Sequence, residues 1–174
     1  MNKALSHLHT INKHKLKVTW LCFRCHLYKQ GLLHDLSKYS YIELKTGFHY
    51  YQGFRSPIDA EKEEKGYSLG WLHHKGRNKH HYEYWEDNFD NGGQPIEMPL
   101  KYKKEMLCDY LGAGKAYYGK SFTFEKELQW WNVKKSKPIA MHPNDKAFID
   151  KYMNMLCKCE NSKTVFEQIK KEGK

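Results

Sequence analysis

The stretch HKLKVTWLCFRCHLYKQGLLHD, residues 14–35, combines a helical repeat with a polar pair at its end. Its core-forming residues recur every three or four positions, which predicts a helix over about residues 5–29 that Gly31 ends. The repeat consists of two adjoining stripes, Leu16, Trp20, Phe23 and Leu27 in one and His14, Val18, Leu21 and Cys25 in the other. We therefore expect His14 to face inward.

Helix signals continue beyond this stretch and predict an all-α fold. Ser40 and Glu43 have the form of a capping box, which predicts a helix over about residues 41–52. His34 and Asp35 precede that helix, so they are expected at a helix end or turn. No segment alternates between apolar and polar residues for long enough to form a sheet.

Proline and glycine divide the rest of the chain. Pro57, preceded by a serine cap, predicts a helix that reaches about His74. Residues 91–95 form a loop, and Pro99 can start the next helix, on which Asp109 lies among apolar neighbours. Three more helices are expected toward the C-terminus, at about 123–136, 144–158 and 162–171.

Length and composition favour one compact domain over residues 1–174. A chain of this length needs only one hydrophobic core, and no repeat or Pro/Ser-rich linker divides it. Thirty Lys and Arg against twenty Asp and Glu give a net charge of +10, which favours nucleotides, other phosphorylated compounds or nucleic acid as partners. The lysines are spread along the chain, however, so the charge is equally consistent with a solvated surface.

The cysteines and the N-terminal segment indicate the compartment. Five cysteines, an odd number, are more consistent with reduced thiols in a helical core than with a disulfide framework. Cys22 and Cys25 form a C-x-x-C pair, but no second such pair follows, so structural zinc is not expected. Because no apolar run suits a membrane span and residues 1–15 lack the apolar core of a signal peptide, we expect a cytoplasmic protein without a membrane partner.

Histidines are concentrated in the first half of the chain, where ten of the eleven lie within the first 81 residues. Imidazole nitrogens together with carboxylates suit borderline divalent ions such as Zn, Mn, Fe, Co or Ni. Adjacent ligands at a helix end can converge on one cation, which makes His34 and Asp35 the strongest candidates. A surface or hydrogen-bonded role is favoured for four others, His7, His9, His26 and His49.

The order of these groups along the chain resembles a known signature. His14 comes first, then the His34-Asp35 pair, then the paired histidines of HHKGRNKHH at residues 73–81, then Asp109. This order resembles the H…HD…D pattern of the HD superfamily of metal-dependent phosphohydrolases. The strings GLLHDLSKYS, GYSLGWLHHKGRNKHHYEYW, EMLCDYLGAGKAY and IAMHPND look more specifically like an uncharacterised family of small bacterial and phage proteins related to that superfamily (DUF5662-like).

The resemblance extends from about His9 to Asn144 and has consequences for fold and cofactor. It implies an HD-domain-like helical bundle with a metal-site core at about residues 7–120 and extra C-terminal helices at about 121–171. It also implies one or two divalent ions (Mn, Fe, Co, Ni, Zn or Mg). The residues that match ligands of the primary ion are His14, His34, Asp35 and Asp109. A second ion would be held by His74 and His80, with His73 and His81 as alternates.

Such a site suits the hydrolysis of phosphoesters, because a divalent ion lowers the pKa of bound water and polarises a phosphoryl oxygen. Asp35 is predicted to bind the metal and to orient the water. In the resemblance Lys38 looks like the HD-x-x-K lysine that contacts a substrate phosphate, although a helix C-terminus alone also favours a lysine. Lys75 and Arg77, between the two histidine pairs, are placed to hold phosphate oxygens. Asp35, Lys38 and Arg77 are thus the catalytic candidates.

The sequence therefore predicts a metal-dependent phosphohydrolase that acts on a nucleotide or a related small phosphoester. Two alternatives stay open: a di-iron oxygenase of the HD kind, and a basic nucleic-acid-binding protein in which the histidines are structural. Aromatic residues near the last histidine pair could stack on a base, but core packing is favoured for Tyr82, Tyr84 and Trp85.

Overall fold

The structure, a computed structural model, describes residues 2–173, and over that range the predicted all-α fold is confirmed. The helices are α1 Lys3–Arg24, α2 Tyr28–Leu33, α3 Tyr41–Tyr50, α4 Pro57–Lys65, α5 Leu69–Lys75, α6 Leu100–Tyr118, α7 Phe124–Lys135, α8 Pro143–Lys158 and α9 Ser162–Lys171. Short 3-10 turns lie at Leu36–Tyr39, Tyr82–Tyr84, Phe89–Asn91 and Gly119–Ser121. One two-residue strand pair, β1 Glu86–Asp87 with β2 Gln94–Pro95, closes the loop before α6.

The α1–α6 pair is the centre of the fold. The two helices approach closely at Gly112, where a Cβ would overlap the Val18 side chain. Val18, Leu21 and Leu111 are completely buried between them. This packing decides which of the two stripes of α1 faces inward: the stripe that contains His14 is buried, whereas Leu16 is 70% exposed.

The end of the first helix differs from the sequence prediction. α1 ends at Arg24, and His26 takes a left-handed conformation with φ 59° before α2 begins. Gly31, expected to end α1, lies inside α2, where a Cβ would come within 2.9 Å of the Cys22 Cβ. The Thr19 hydroxyl also donates a 2.8 Å hydrogen bond to the Gly31 carbonyl. Gly31 is therefore required for the close approach of α2 to α1.

The helix predicted from Pro57 to His74 is broken into α4 and α5. Gly66 ends α4 with φ 79°, and the Ser68 hydroxyl accepts from the Trp71 amide as the N-cap of α5. The predicted cap at Ser40 is confirmed, since its hydroxyl accepts from the Glu43 amide. α3 packs against both α4 and α5 and also contacts α1.

The three C-terminal helices lie close to the predicted bounds. α7 and α8 pack against α6, and α9 packs against α8 and α1. Trp131 of α7, Ile149 of α8 and Ile169 of α9 are completely buried in this part of the core. The five cysteines are free, and Cys22, Cys25 and Cys108 are buried beside it. Within residues 2–173 none of the helices combines the length and apolar character needed to cross a membrane.

Candidate metal centre

Distant parts of the chain bring their histidines and carboxylates to one buried place. α1 supplies His14, α6 supplies Asp109, and the turn after α2 supplies His34 and Asp35. Asp35 adopts a left-handed conformation with φ 55°, which aspartate tolerates better than most residues and which redirects the chain between α2 and the following 3-10 turn. The His34 and Asp35 residues are only 2% and 1% exposed.

The first ligand group consists of His14, His34, Asp35 and Asp109. His14 Nε2 lies 3.3 Å from Asp35 Oδ2 and 3.1 Å from Asp109 Oδ1. His34 Nε2 lies 3.4 Å from the same Asp35 oxygen, 3.3 Å from Asp109 Oδ1 and 3.4 Å from His14 Nε2. The structure thus brings together all four residues that the resemblance matched to the primary ion.

The second ligand group consists of Asp35, His74, His80 and His81. The other Asp35 oxygen, Oδ1, lies 3.4 Å from His74 Nε2 and 3.3 Å from His80 Nε2. His74 Nε2 and His81 Nε2 are 2.9 Å apart. His74 and His80 were the predicted pair, and the structure adds His81, which had been an alternate. The other alternate, His73, lies outside the group.

The geometry of the first group fits a divalent ion. Bonds of about 2.0–2.1 Å at tetrahedral angles set neighbouring ligand atoms about 3.3–3.4 Å apart, which is close to the distances within the group. In the second group Asp35 Oδ1 and His80 Nε2 are buried atoms without a hydrogen-bond partner. Buried polar atoms are nearly always satisfied, and a cation held between these two would satisfy both.

Two further carboxylates hold the imidazole rings from behind. Glu105 Oε1 lies 3.0 Å from His34 Nδ1 and 3.2 Å from His80 Nδ1, so one oxygen contacts a ring of each group. Glu43 contacts His73 through Oε1 and His74 through Oε2, at 2.7 and 2.8 Å from their Nδ1 atoms. Because an ionised carboxylate can only accept, these Nδ1 atoms donate. For His34, His74 and His80 this directs Nε2 toward the ligand groups.

Neither carboxylate was predicted to have this role. Glu105 lies one turn before Asp109 on the same helix, so the i, i+4 spacing was a usable signal. Glu43 was assigned to the capping box of α3 instead. Its amide is indeed capped by Ser40, but its side chain points to the histidines.

Electrostatics keeps the ligand carboxylates ionised. Burial by itself would raise the pKa of Asp35, but the charges on His34 and Lys38 hold it well below its usual range. Burial would likewise raise the pKa of Asp109, and hydrogen bonds from His14 and His34 lower it well below its usual range. Burial would lower the pKa of His34, yet the Asp35 charge and the Asp109 hydrogen bond raise it well above normal.

A cavity of about 230 Å³ lies beside both ligand groups and is lined by members of each, including His14 and His74. Lys38 lines it too, with its ammonium 2.6 Å from Asp35 Oδ2. Burial would lower the pKa of Lys38, but the Asp35 charge raises it, so the ammonium stays charged. The remaining wall is largely apolar, with Ile11, Ile58, Trp71, Ala113 and Ala116.

His7 is a cavity residue for which a surface or hydrogen-bonded role had been favoured. It is buried, and its ring packs where a Cβ on Gly47 would otherwise lie. Burial, followed by the Lys38 charge, lowers the pKa of His7 to about 4, so the ring is neutral near pH 7. Its Nδ1 has no hydrogen-bond partner. His9, His26 and His49 are exposed, as expected.

Other predicted site residues lie away from this cavity. Neither Lys75 nor Arg77 lines it, because the chain turns outward after α5, and the exposed Arg77 guanidinium instead donates to the His73 carbonyl. Tyr82 is buried in the core, and Trp85 packs against Tyr102 with ring centroids 5.8 Å apart. Tyr82 and Trp85 thus have the packing role that was favoured for them, whereas Tyr84 is exposed.

Fold and site together define the class: an all-α protein with buried His/carboxylate groups that could hold a divalent metal. A protein-family profile described as "Family of unknown function (DUF5662)" matches residues 3–155. Since the match spans most of the chain, the protein belongs to this family, as its sequence strings predicted. Neither the curated proteins nor the solved structures contain a match to the chain.

Proposed function

We propose that this protein is a metal-dependent phosphohydrolase of the HD kind that acts on a nucleotide or a related small phosphoester. The observation that carries the proposal is the shared carboxylate of Asp35. Its Oδ2 belongs to the first ligand group and its Oδ1 to the second. A single aspartate with one oxygen directed at each group is suited to two divalent ions a few ångströms apart, as in two-ion phosphatases.

Divalent ions bound there would supply an acidified water near neutral pH and polarise a phosphoryl oxygen. The chain's own residues have defined tasks around that chemistry. Asp35 positions both groups relative to each other, and Glu105 and Glu43 fix the rotation of the imidazoles. Lys38, charged and on the cavity wall, is placed to bind a phosphate oxygen. It takes the phosphate-binding role that had also been given to Lys75 and Arg77.

The size and lining of the cavity support a small substrate. A volume of about 230 Å³ suits one compact molecule, with its phosphate toward Lys38 and the ligand groups. The apolar wall then covers the organic part of the substrate and excludes water. The neutral His7 ring, with Nδ1 free of partners, offers one hydrogen bond to an uncharged group of that substrate.

Elemental analysis of the purified protein, coupled to a phosphatase and phosphodiesterase screen with added Mn or Co, tests the proposal. We expect divalent metal in the wild-type protein and phosphate release from at least one member of a nucleotide panel. His34→Ala should lose both, and Lys38→Ala should lose phosphate release while it retains metal. His9→Ala, an exposed histidine on α1, is the matched control and should retain both.

Other results would replace the proposal. Absence of metal, with His34→Ala unchanged in stability and activity, would end it. Iron as the native metal together with oxygen-dependent turnover would favour the di-iron oxygenase. Tight, salt-sensitive binding of single strands by metal-free protein, with no hydrolysis, would favour the nucleic-acid-binding alternative.

A further inference from the structure

A second concave region of the surface is strongly basic and separate from the cavity above. This basic groove, of about 270 Å³, has walls that include Lys29, Arg77, Lys79 and Lys101. Its lining shares no residue with the cavity beside the ligand groups. Two of its residues, Arg77 and Lys79, come from the HHKGRNKHH segment and have no place in the proposed reaction. We propose that the groove binds a small polyphosphate, such as a nucleoside triphosphate.

The charge balance of the groove favours an anion. All four basic residues are exposed, and within residues 2–173 none of them is ion-paired with a carboxylate. The acidic residue in the lining is Glu105, which is 5% exposed and already engaged by His34 and His80. Several like charges around one concave surface attract a multiply charged anion more strongly than isolated surface lysines do.

The start of α6 places one of the four basic residues. Lys101 lies in the first turn of this 19-residue helix, beside the groove. That turn contains no acidic residue, but the buried Asp145 carboxylate accepts from the Met98 amide just before it and pairs with Lys103. The helix therefore contributes the exposed Lys101 ammonium to the groove, and its dipole is not an anion site of its own.

The shape of the groove selects a small polyphosphate over a nucleic-acid strand. Arg77 can hold two phosphate oxygens at once, and the lysines can neutralise further charges. One partly exposed ring, that of Tyr102, lies in the lining and can stack on a base. Strand binding uses successive aromatic platforms along an extended channel, whereas this groove has room for about one nucleotide.

Binding of inorganic triphosphate and of ATP to the full chain, measured by calorimetry in EDTA, tests the inference. We expect Arg77→Ala combined with Lys101→Ala to weaken the affinity on the order of tenfold or more, since two charge-assisted contacts are removed. The matched control removes two exposed lysines elsewhere, Lys120→Ala with Lys137→Ala. Its affinity for the same ligands should stay within about twofold of the wild-type value. All the substituted residues are exposed, so folding is preserved, and circular dichroism checks this.

Each opposite result overturns the inference. An equal loss of affinity in the control variant would mean that net charge alone attracts the ligand. Unchanged affinity in the Arg77/Lys101 variant would exclude the groove as the binding site. A loss of affinity in the Lys38→Ala variant would place the polyphosphate in the cavity beside the metal-ligand groups instead. Tighter binding of a single-stranded oligonucleotide at the groove would replace the small ligand by a nucleic acid. None of these outcomes depends on hydrolysis, so the inference and the proposed function can fail separately.

Discussion

Two buried regions of the α1–α6 pair are built from the same helices and differ in chemistry. In the apolar region Val18, Leu21 and Leu111 are fully buried against apolar neighbours. In the polar region His14 and Asp109 meet the turn after α2, and buried polar atoms are left without partners nearby. Apolar burial stabilises a fold, whereas buried charges usually cost stability unless something compensates them. The apolar region therefore serves stability, and the polar region indicates a ligand.

The largest effect that separates the two regions is expected from Asp35→Asn. Because each Asp35 oxygen belongs to one ligand group, the substitution should weaken metal binding at both positions by more than about 100-fold, beyond what loss of an outer partner costs. Metal content after dialysis, measured by mass spectrometry, checks this. Retention of both ions would show that the regions do not differ as described.

Leu111→Ala should show the opposite pattern. Leu111 is fully buried, so the truncation is expected to lower the free energy of unfolding by about 2–5 kcal/mol. Urea denaturation measures the loss. Metal stoichiometry of the folded variant should equal that of the wild type, and a parallel loss of metal would mean that the two regions are coupled.

Glu127 tests burial of a carboxylate that lies outside both ligand groups. Burial, followed by the Asp109 charge, raises the pKa of Glu127 from 4.5 to about 7, and its Oε2 has no partner. The folded protein then retains a proton that the unfolded chain releases between these pH values, so stability falls as pH rises from 4.5 to 7. The slope approaches roughly 1.4 kcal/mol per pH unit. Glu127→Gln should flatten it in urea denaturations at pH 5, 6 and 7.

Glu105→Gln is expected to have the smallest effect, because Glu105 touches the ligand groups only through Nδ1 atoms. A glutamine still occupies the space but holds the rings more weakly, so metal affinity should fall about 10–100-fold. Competition with a chromogenic chelator measures this. An effect as large as that of Asp35→Asn would mean that Glu105 is itself a ligand.

Local sequence signals were sufficient for much of the fold, and the resemblance to the H…HD…D pattern supplied the four residues of the first ligand group. Periodicity indicated that His14 faces inward, and cap residues located α3 and the helices after Pro99. Periodicity alone, however, gave two stripes on α1, and the choice between them depends on the contact with Gly112 of α6. The break between α4 and α5 had its own sequence signal, a glycine at the C-terminal end of α4 (Gly66) followed by a capping serine (Ser68). The prediction of one long helix from Pro57 to His74 overlooked this signal.

The rest of the site depends on contacts between segments far apart in sequence. The turn after α5 decides that His81 joins His74 and His80, and no spacing rule encodes that turn. Arg77 shows the opposite case. Its position between the histidine pairs in sequence suggested a place in the catalytic site, but the same turn carries it to another surface. The sequence allowed the Glu43 side chain either to complete the capping box of α3 or to contact histidines. Only the position of α5 shows that it contacts the histidines.

One oxygen of Glu105 contacts a ring from each ligand group. The orientation of His34 is therefore coupled to that of His80, so occupation of either position affects the other. In the two-ion proposal the sites are thermodynamically linked, and each ion changes the affinity of its neighbour by the same factor. Titration of metal-free protein would then depart from the curve of two independent sites.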